Sequence, residues 1–188
     1  TLTLSLALID SSRVLEHRLV VPPKRQSEVL PGEIESLLAA HGKSLKDVTG
    51  FVVGLGPGSF TGLRIGLATI KGLAFALEVP VAGVSSLAAL EHESGARAGT
   101  FSCAVVKKGE LYVRHAGCEY SRTIAQTAAE VKAVPNAIVI GPALVDYRAA
   151  LEAEGVPASA LAAGPLIPSA VSLAALAKLP SAYDAPTV

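Results

Sequence analysis

Residues 50–86, GFVVGLGPGSFTGLRIGLATIKGLAFALEVPVAGVSS, constrain the fold more than any other stretch of the chain. Residues 51–55 are a short apolar run bounded by glycines and read as a strand. The loop Gly54-Leu-Gly-Pro-Gly-Ser-Phe-Thr-Gly62 follows. A helical pattern then runs over 61–77, and 79–84 is apolar and extended again. Strand, glycine-rich loop, helix and strand in succession place the chain in the α/β class.

The helix over 61–77 is apolar nearly all round. Leu63, Leu67, Ile70, Ala74 and Leu77 trace one face, while Ile65, Ala68, Gly72 and Phe75 sit on another. Such a helix is either buried on all sides or shared with a partner. An earlier helix carries Leu30, Ile34, Leu37, Leu38 and His41 at helical spacing, ends at Gly42, and has Val29 beside its stripe. Two readings stay open: burial between a sheet and a second lobe, or a flat apolar face for helix-on-helix pairing. An interface of ~800 Å² per partner, half of it apolar, gives roughly 20 kcal/mol of gross transfer energy against ~4–15 kcal/mol for association. Area alone therefore does not separate stable from transient pairing.

Elsewhere, 3–9 and 14–21 flank Asp10-Ser11-Ser12 as a hairpin, broken by Pro22-Pro23. Ser85 or Ser86 caps a helix reaching about 93. The small, polar stretch 93–100 is the expected boundary, giving a first lobe over 1–98 and a smaller second lobe over 99–188. Strands over 102–106 and 110–114 pair about Lys107-Lys108-Gly109. Helices over 124–134 and 144–154 flank a strand over 137–141. A last helix over 169–179 follows the prolines at 165 and 168 and is expected to pack back on the first lobe. Hairpins followed by strand–helix alternation predict a mixed sheet.

The glycine loop fails each specific phosphate or nucleophile template. A Walker loop needs Lys straight after its last glycine, and here the first Lys is Lys71. The dinucleotide fingerprint would start at Gly54 and Gly56, but Ser59 stands in its third glycine slot. A nucleophile elbow needs Gly two residues before the serine, where Pro57 stands. Two readings remain: an anion held on the helix N-terminus, or a tight turn capped by Ser59 or Thr61. In the second, Gly58, Gly62 and Gly66 recur every four residues and leave a groove for a neighbouring backbone.

The rest of the chain offers little catalytic machinery. Its four histidines, His17, His41, His92 and His115, have no metal-ligand spacing. Cys103 reads as core, and neither it nor Cys118 has an adjacent histidine. Two cysteines without a framework fit a reducing cytosol. Asp10 sits in a turn, where an acid serves the turn or a metal. Sixteen basic residues balance sixteen acidic ones, so a nucleic-acid footprint is missing and a partner would supply the grip on RNA. Lys71 and the glycines interrupt the best candidate for a membrane span, and no signal peptide is legible.

The block Gly56-Pro-Gly-Ser-Phe-Thr-Gly-Leu-Arg-Ile-Gly66 resembles the TsaB (YeaZ) family of bacterial tRNA threonylcarbamoyladenosine biosynthesis proteins. Lys71-Gly-Leu-Ala74, Val81-Ala-Gly-Val-Ser-Ser-Leu87, Gly109-Glu-Leu-Tyr112 and Pro168-Ser-Ala170 follow in family-like order, although 117–164 is nondescript. The resemblance implies an actin-like, Hsp70-type ATPase (ASKHA) fold of two lobes, the first ribonuclease-H-like with a mixed sheet and the second reduced. It implies a cytoplasmic, non-catalytic paralogue of TsaD, which transfers threonylcarbamoyl from its adenylate to the adenosine beside the tRNA anticodon. TsaD and the ATPase TsaE are the implied partners, with a homodimer when the chain is alone, tRNA met only through the complex, and no membrane. Lys24-Arg-Gln-Ser-Glu28 lacks the metal-binding histidines of TsaD, so neither metal nor catalytic residue is implied. No cofactor is implied either, beyond weak nucleotide binding at the lobe cleft.

The family pairs through its first two long helices, here 27–41 and 59–77. The partner face is therefore expected on Val29, Glu33 and Leu37 and on Gly58, Ser59, Gly62, Ile65, Gly66, Thr69, Ile70 and Leu73. Departures from the family pattern are a first strand ending in Asp-Thr, an Asp-Ala-Arg where Val106-Lys-Lys108 stands, and a terminal Tyr-Leu-Arg after Val188. Together with the absence of Met, they read as gaps in the chain. The rival reading is a nucleotide-binding kinase-like or protease-like enzyme of the same fold.

Overall fold

The computed structural model describes residues 3–21, 26–161, 164 and 166–183. Thr1, the Pro22-Pro23 break, Lys24, Arg25, Pro165 and the tail from Asp184 lie outside the described residues, and so do the readings placed on them.

The chain divides between Val84 and Ser85 into two compact units, with residues from Ser169 onward joining the first. In the first unit, β1 (Leu4–Asp10) and β2 (Arg13–Val20) form the expected antiparallel hairpin. Helix α1 (Gln26–Ala39) follows and stops where Gly42 takes a positive φ of 64° and Lys43 N–H returns to the Leu38 carbonyl at 3.0 Å. His41 therefore lies beyond the helix rather than on its stripe. A single 3-10 turn, Leu45–Asp47, is closed by Ser44 N–H donating to the Asp47 carboxylate at 2.7 Å.

Strands β3 (Phe51–Gly54) and β4 (Val81–Val84) are parallel, joined through α2 (Phe60–Leu77). Parallel strands need such a crossover because a tight turn only reverses direction. Leu30, Ile34 and Leu38 of α1 build the core here, against Leu4, Leu6 and Leu8 of β1 and Ile65, Ile70 and Leu73 of α2. The last helix, shorter than expected at Ala170–Leu176, packs on β1, β2 and β3.

The second unit is one mixed four-stranded sheet. Strands β5 (Thr100–Lys107), β6 (Glu110–His115) and β7 (Cys118–Thr123) form an antiparallel meander, and β8 (Ile138–Ile140) lies parallel to β5 on its other side. Strand β7 lies in the stretch that the sequence left nondescript. Helix α3 (Ser86–Glu93) belongs here: Leu87 and Leu90 pack on Ala104 and Ile140. The compact unit thus begins before α3, whereas the composition shift at 93–100 comes after it. Ser85 caps α3, its hydroxyl accepting from Leu87 and Ala88 N–H at 3.1 and 3.2 Å. Helices α4 (Ile124–Ala133) and α5 (Ala143–Ala153) contribute to the opposite core, where Phe101, Cys103, Leu111, Val113, Val139 and Leu151 are fully buried. Two β5 hydroxyls, Thr100 Oγ1 and Ser102 Oγ, are buried without a partner.

Gly141 joins β8 to α5 with a φ of 103°, and a Cβ there would lie 2.5 Å from the Cys103 carbonyl oxygen. Backbone cannot yield as a flexible side-chain tip does. Gly141→Ala is expected to destabilise the protein by about 2–4 kcal/mol, read as a lower urea midpoint at unchanged slope.

Candidate functional site

The glycine loop is built as a turn. Ser59 Oγ accepts the Gly62 N–H at 3.3 Å, so the first turn of α2 is capped from within the chain. Gly56 is buried at a φ of 97°, and a Cβ there would sit 2.8 Å from Leu63 Cδ1. The second glycine of the loop thus combines a left-handed backbone with close packing of the α2 side chain that anchors the turn. Gly66 and Gly72 differ: neither has a neighbour within 4 Å of where its Cβ would lie. Gly72 is exposed and Gly66 is half-buried, and a side chain would find room at both.

That openness extends over most of α2. Of its residues only Ala74 is fully buried, at 3% exposure. Leu63, Ile65, Ile70 and Leu73 are half-buried, while Phe60 and Phe75 stand 73% and 65% exposed. Arg64 lies over the Phe60 ring, 5.3 Å from its centroid. By length and composition α2 is also the one helix among the described residues that meets the requirements of a membrane span. What holds α2 in this structure is packing against β3, β4 and α1 along one side.

Between α1 and α2 runs a shallow, largely apolar groove of about 250 Å³, lined by Pro31, Ile34, Glu35 and Leu45 on one flank and Ala68, Thr69, Gly72 and Leu73 on the other. The expected partner-face residues divide around it. Thr69 and Leu73 line the groove; Gly58 and Ser59 are exposed at the loop; Val29, Glu33, Gly62, Ile65, Gly66 and Ile70 are half-buried. Leu37 is 5% exposed and belongs to the interior, where it supports the face without presenting it. The residues that the sequence reading leaves off its site list are Phe60, Arg64, Ala68, Lys71, Gly72 and Phe75. Their signal is the 3.6-residue period, which sets Phe60, Lys71, Arg64, Phe75, Ala68 and Gly72 in that order along one continuous exposed arc that begins beside Ala74.

The remaining candidates for chemistry are accounted for structurally. Burial pushes the Cys103 thiol up to about 12, so it is protonated and unreactive at neutral pH. His17 shares a 3.0 Å hydrogen bond with Ser5 Oγ, and His115 stacks on Phe101 with ring centroids 3.9 Å apart. Asp10 faces Lys43 Nζ at 3.6 Å, an exposed pair at the hairpin turn. Among the described residues, no three His, Cys, Asp or Glu side chains gather as a metal site.

Behind the helical face, Glu16 of β2 ties the hairpin to the end of α1. Its carboxylate accepts from Arg18 Nε and meets His41 Nε2 at 2.8 Å, while Arg18 also donates to Ser36 of α1 at 3.1 Å. Arg18 first, then His41, hold the Glu16 carboxyl below the usual carboxylate range. A depressed folded-state pKa gives stability that is present above the unfolded value and lost as pH falls through the folded one. Glu16→Gln is therefore expected to lower Tm at pH 7, with the difference from the parent closing as pH falls below the ordinary carboxylate range in thermal melts.

Comparison with known proteins adds four likenesses. Residues 20–144 match the family described as TsaD: tRNA N6-adenosine threonylcarbamoyltransferase. The chain is 33% identical over 111 residues to the tRNA threonylcarbamoyladenosine biosynthesis protein TsaB of Escherichia coli, covering 57% of this chain and 48% of that protein. To the protein of the same name from Bacillus subtilis it is 32% identical over 114 residues, covering 58% and 48%. The chain thus spans about half the length of the curated relatives it matches. A crystal structure of an uncharacterized Pseudomonas aeruginosa protein with similarity to peptidase YEAZ superposes with a TM-score of 0.74 at 28% identity, covering 93% of this chain and 85% of that one.

Proposed function

Since the chain belongs to the family described as TsaD: tRNA N6-adenosine threonylcarbamoyltransferase and is a TsaB (YeaZ)-like member of it, we propose that it acts as a non-catalytic scaffold and activator in tRNA threonylcarbamoyladenosine formation. The observation that carries this reading is the apolar surface that α2 leaves uncovered: the exposed Phe60 and Phe75, and the groove that α2 forms with α1. A face of this kind is costly in water and favourable against another protein.

In this proposal a TsaD homologue docks on α1 and α2, with the ATPase TsaE joining the assembly. The chemistry stays on TsaD: the adenosine N6 beside the anticodon attacks the carbamoyl carbon of threonylcarbamoyl-AMP, AMP leaves with the bonding electrons, and the N6 proton passes to solvent. This chain meets tRNA through the complex, consistent with its balanced charge, and works in the cytoplasm, alone as a homodimer. Its contribution is to hold the catalytic partner in a productive conformation by binding that conformation best.

The test is reconstitution with a TsaD homologue and TsaE, with and without this chain. Modification is expected to require it; full activity from the two partners alone overturns the proposal. Gly72→Arg adds an unpaired charge at an open position of the face and is expected to weaken the mixed complex about a hundredfold or more, with the circular dichroism of the free chain unchanged. ATP turnover by the chain alone would favour the enzymatic reading instead.

A further inference from the structure

Strand β7 is the outer strand of its sheet, with β6 on one side and no strand on the other among the described residues. The turn at Ala116 and Gly117, both at positive φ, closes the β6–β7 hairpin on the His115–Cys118 pair. A two-residue turn makes that closing pair hydrogen-bonded, and in an antiparallel ladder such pairs recur at every second residue. Tyr120 and Arg122 therefore spend their backbone groups on β6, while the N–H and C=O of Glu119, Ser121 and Thr123 point away from it. An outward row of this kind is a template for another strand. Here side chains of the same chain occupy much of it. Thr123 N–H donates to Gln126 Oε1 at 3.0 Å and its carbonyl accepts the Thr127 hydroxyl at 2.9 Å, both at the start of α4. The Ser121 carbonyl accepts from Arg122 Nη1 at 3.0 Å. Arg122 is fixed in that pose: its Nε donates to Glu130 of α4 at 2.6 Å, and its guanidinium lies over the Tyr120 ring, 4.4 Å from the centroid. The other Glu130 oxygen accepts the Tyr120 hydroxyl at 2.9 Å, so ring, acid and base are locked together.

We propose that Arg122 is a strap that keeps the outer edge of β7 shut, and that with the strap released β7 pairs antiparallel with β7 of a second copy. The edge belongs to the second unit, and none of its residues is on the α1–α2 face. Thr123 is committed to the cap of α4, so the groups a new strand can reach are those of Glu119 and Ser121. One antiparallel register joins these two residues and leaves the cap intact. Its two-fold axis passes at Tyr120, and Glu119 of each copy is bonded to Ser121 of the other. In that register both Ser121 carbonyls accept a Glu119 N–H, so the guanidinium on Ser121 removes an acceptor from every pair. A second copy matches this short window because its own edge is bounded in the same way, by a turn at one end and a capped helix at the other. A longer extended segment would leave its groups facing the cap unpaired, which is costly. The exposed side chains along the edge, Cys118, Glu119, Ser121 and Thr123, bring little apolar burial. Backbone hydrogen bonds therefore decide whether the edge pairs, and one well-held arginine is enough to prevent it.

The test is sedimentation of the full chain in the Gly72→Arg background, which holds any contribution of the α1–α2 face constant. Arg122→Ala is expected to self-associate about tenfold more tightly than its parent. Arg122→Lys keeps the charge and the aliphatic stem but cannot reach Glu130 and Ser121 at once, and should tighten association in the same direction. Circular dichroism at low concentration checks that each variant is folded. The register is read at Ser121, whose side chain is exposed. Added to Arg122→Ala, Ser121→Lys stands opposite Glu119 of the other copy and should tighten pairing, whereas Ser121→Glu should loosen it. Glu119 already faces Arg114 at 3.1 Å, so the two are expected to differ by about fivefold. Gly72→Arg and Arg122→Ala cancel in charge and the chain is neutral, so clumping of unfolded chains would respond to both substitutions alike. If neither Arg122 variant associates more tightly than the parent, the strap is refuted. An equal response to Ser121→Lys and Ser121→Glu overturns the proposed pairing.

Discussion

A helix that is apolar on nearly every side needs cover on every side, and α2 receives it on one. The sheet and α1 cover the side of the helix that carries Leu63, Ile70 and Leu73 and bury Ala74, and the neighbouring arc, with Phe60 and Phe75, is left to solvent. Nothing in the local sequence relieves this: the helix is well capped by Ser59 and terminated by Glu78 in the left-handed conformation, so it does not unravel to escape exposure. Its sequence suits an interior on one side, and under the proposed function a protein partner covers the other. The neighbouring features follow from that division. Gly66 and Gly72 are small where a second backbone would approach, and the charges are pushed to the edges of the strip.

How much of this was legible in the sequence depends on which force sets each element. The hairpin, the two long helices and the alternation after residue 100 are fixed by apolar periodicity and by local caps, and the structure reproduces them within a few residues. Strand β7 was not legible, because Cys118-Glu-Tyr-Ser-Arg-Thr123 is an edge strand with mostly exposed residues, and its pairing with β6 comes from the turn at Ala116 and Gly117. The placement of α3 was also hidden. Composition shifts after it, but Leu87 and Leu90 choose their partners by tertiary packing on β5 and β8, which no local pattern reports. Leu37 illustrates the same limit within the site: its spacing puts it on the helix, and only packing says that it faces inward.

The glycine loop was the feature most open to misreading. Gly54 to Gly62 looks like a phosphate cradle because both kinds of loop require a sharp strand-to-helix turn. The difference lies in where the freed N–H groups go. Here the Ser59 hydroxyl takes the Gly62 N–H, and Leu63 fills the space over Gly56, so helix start and loop are tied to each other. The glycines of this region thus fall into two groups with separate causes. Gly56 is small because its own backbone conformation and a packed leucine require it. Gly66 and Gly72 have no neighbour within 4 Å of where a Cβ would lie, so packing inside this chain does not require their smallness.

A net charge of zero conceals how unevenly the charge is distributed. Summed over the chain, equal numbers of acids and bases produce no long-range field suited to gripping nucleic acid. At contact distance the sum is irrelevant, since a Debye length of about 8 Å at physiological salt lets each edge of the face act on its own neighbour. Segregating acids on α1 (Glu28, Glu33, Glu35) and bases on α2 (Arg64, Lys71) therefore costs nothing in solubility while giving the α1–α2 face a left and a right. An apolar strip alone binds without orientation. Flanked by opposite charges, such a strip has a direction, and the proposed role in positioning another protein calls for that direction more than for additional affinity.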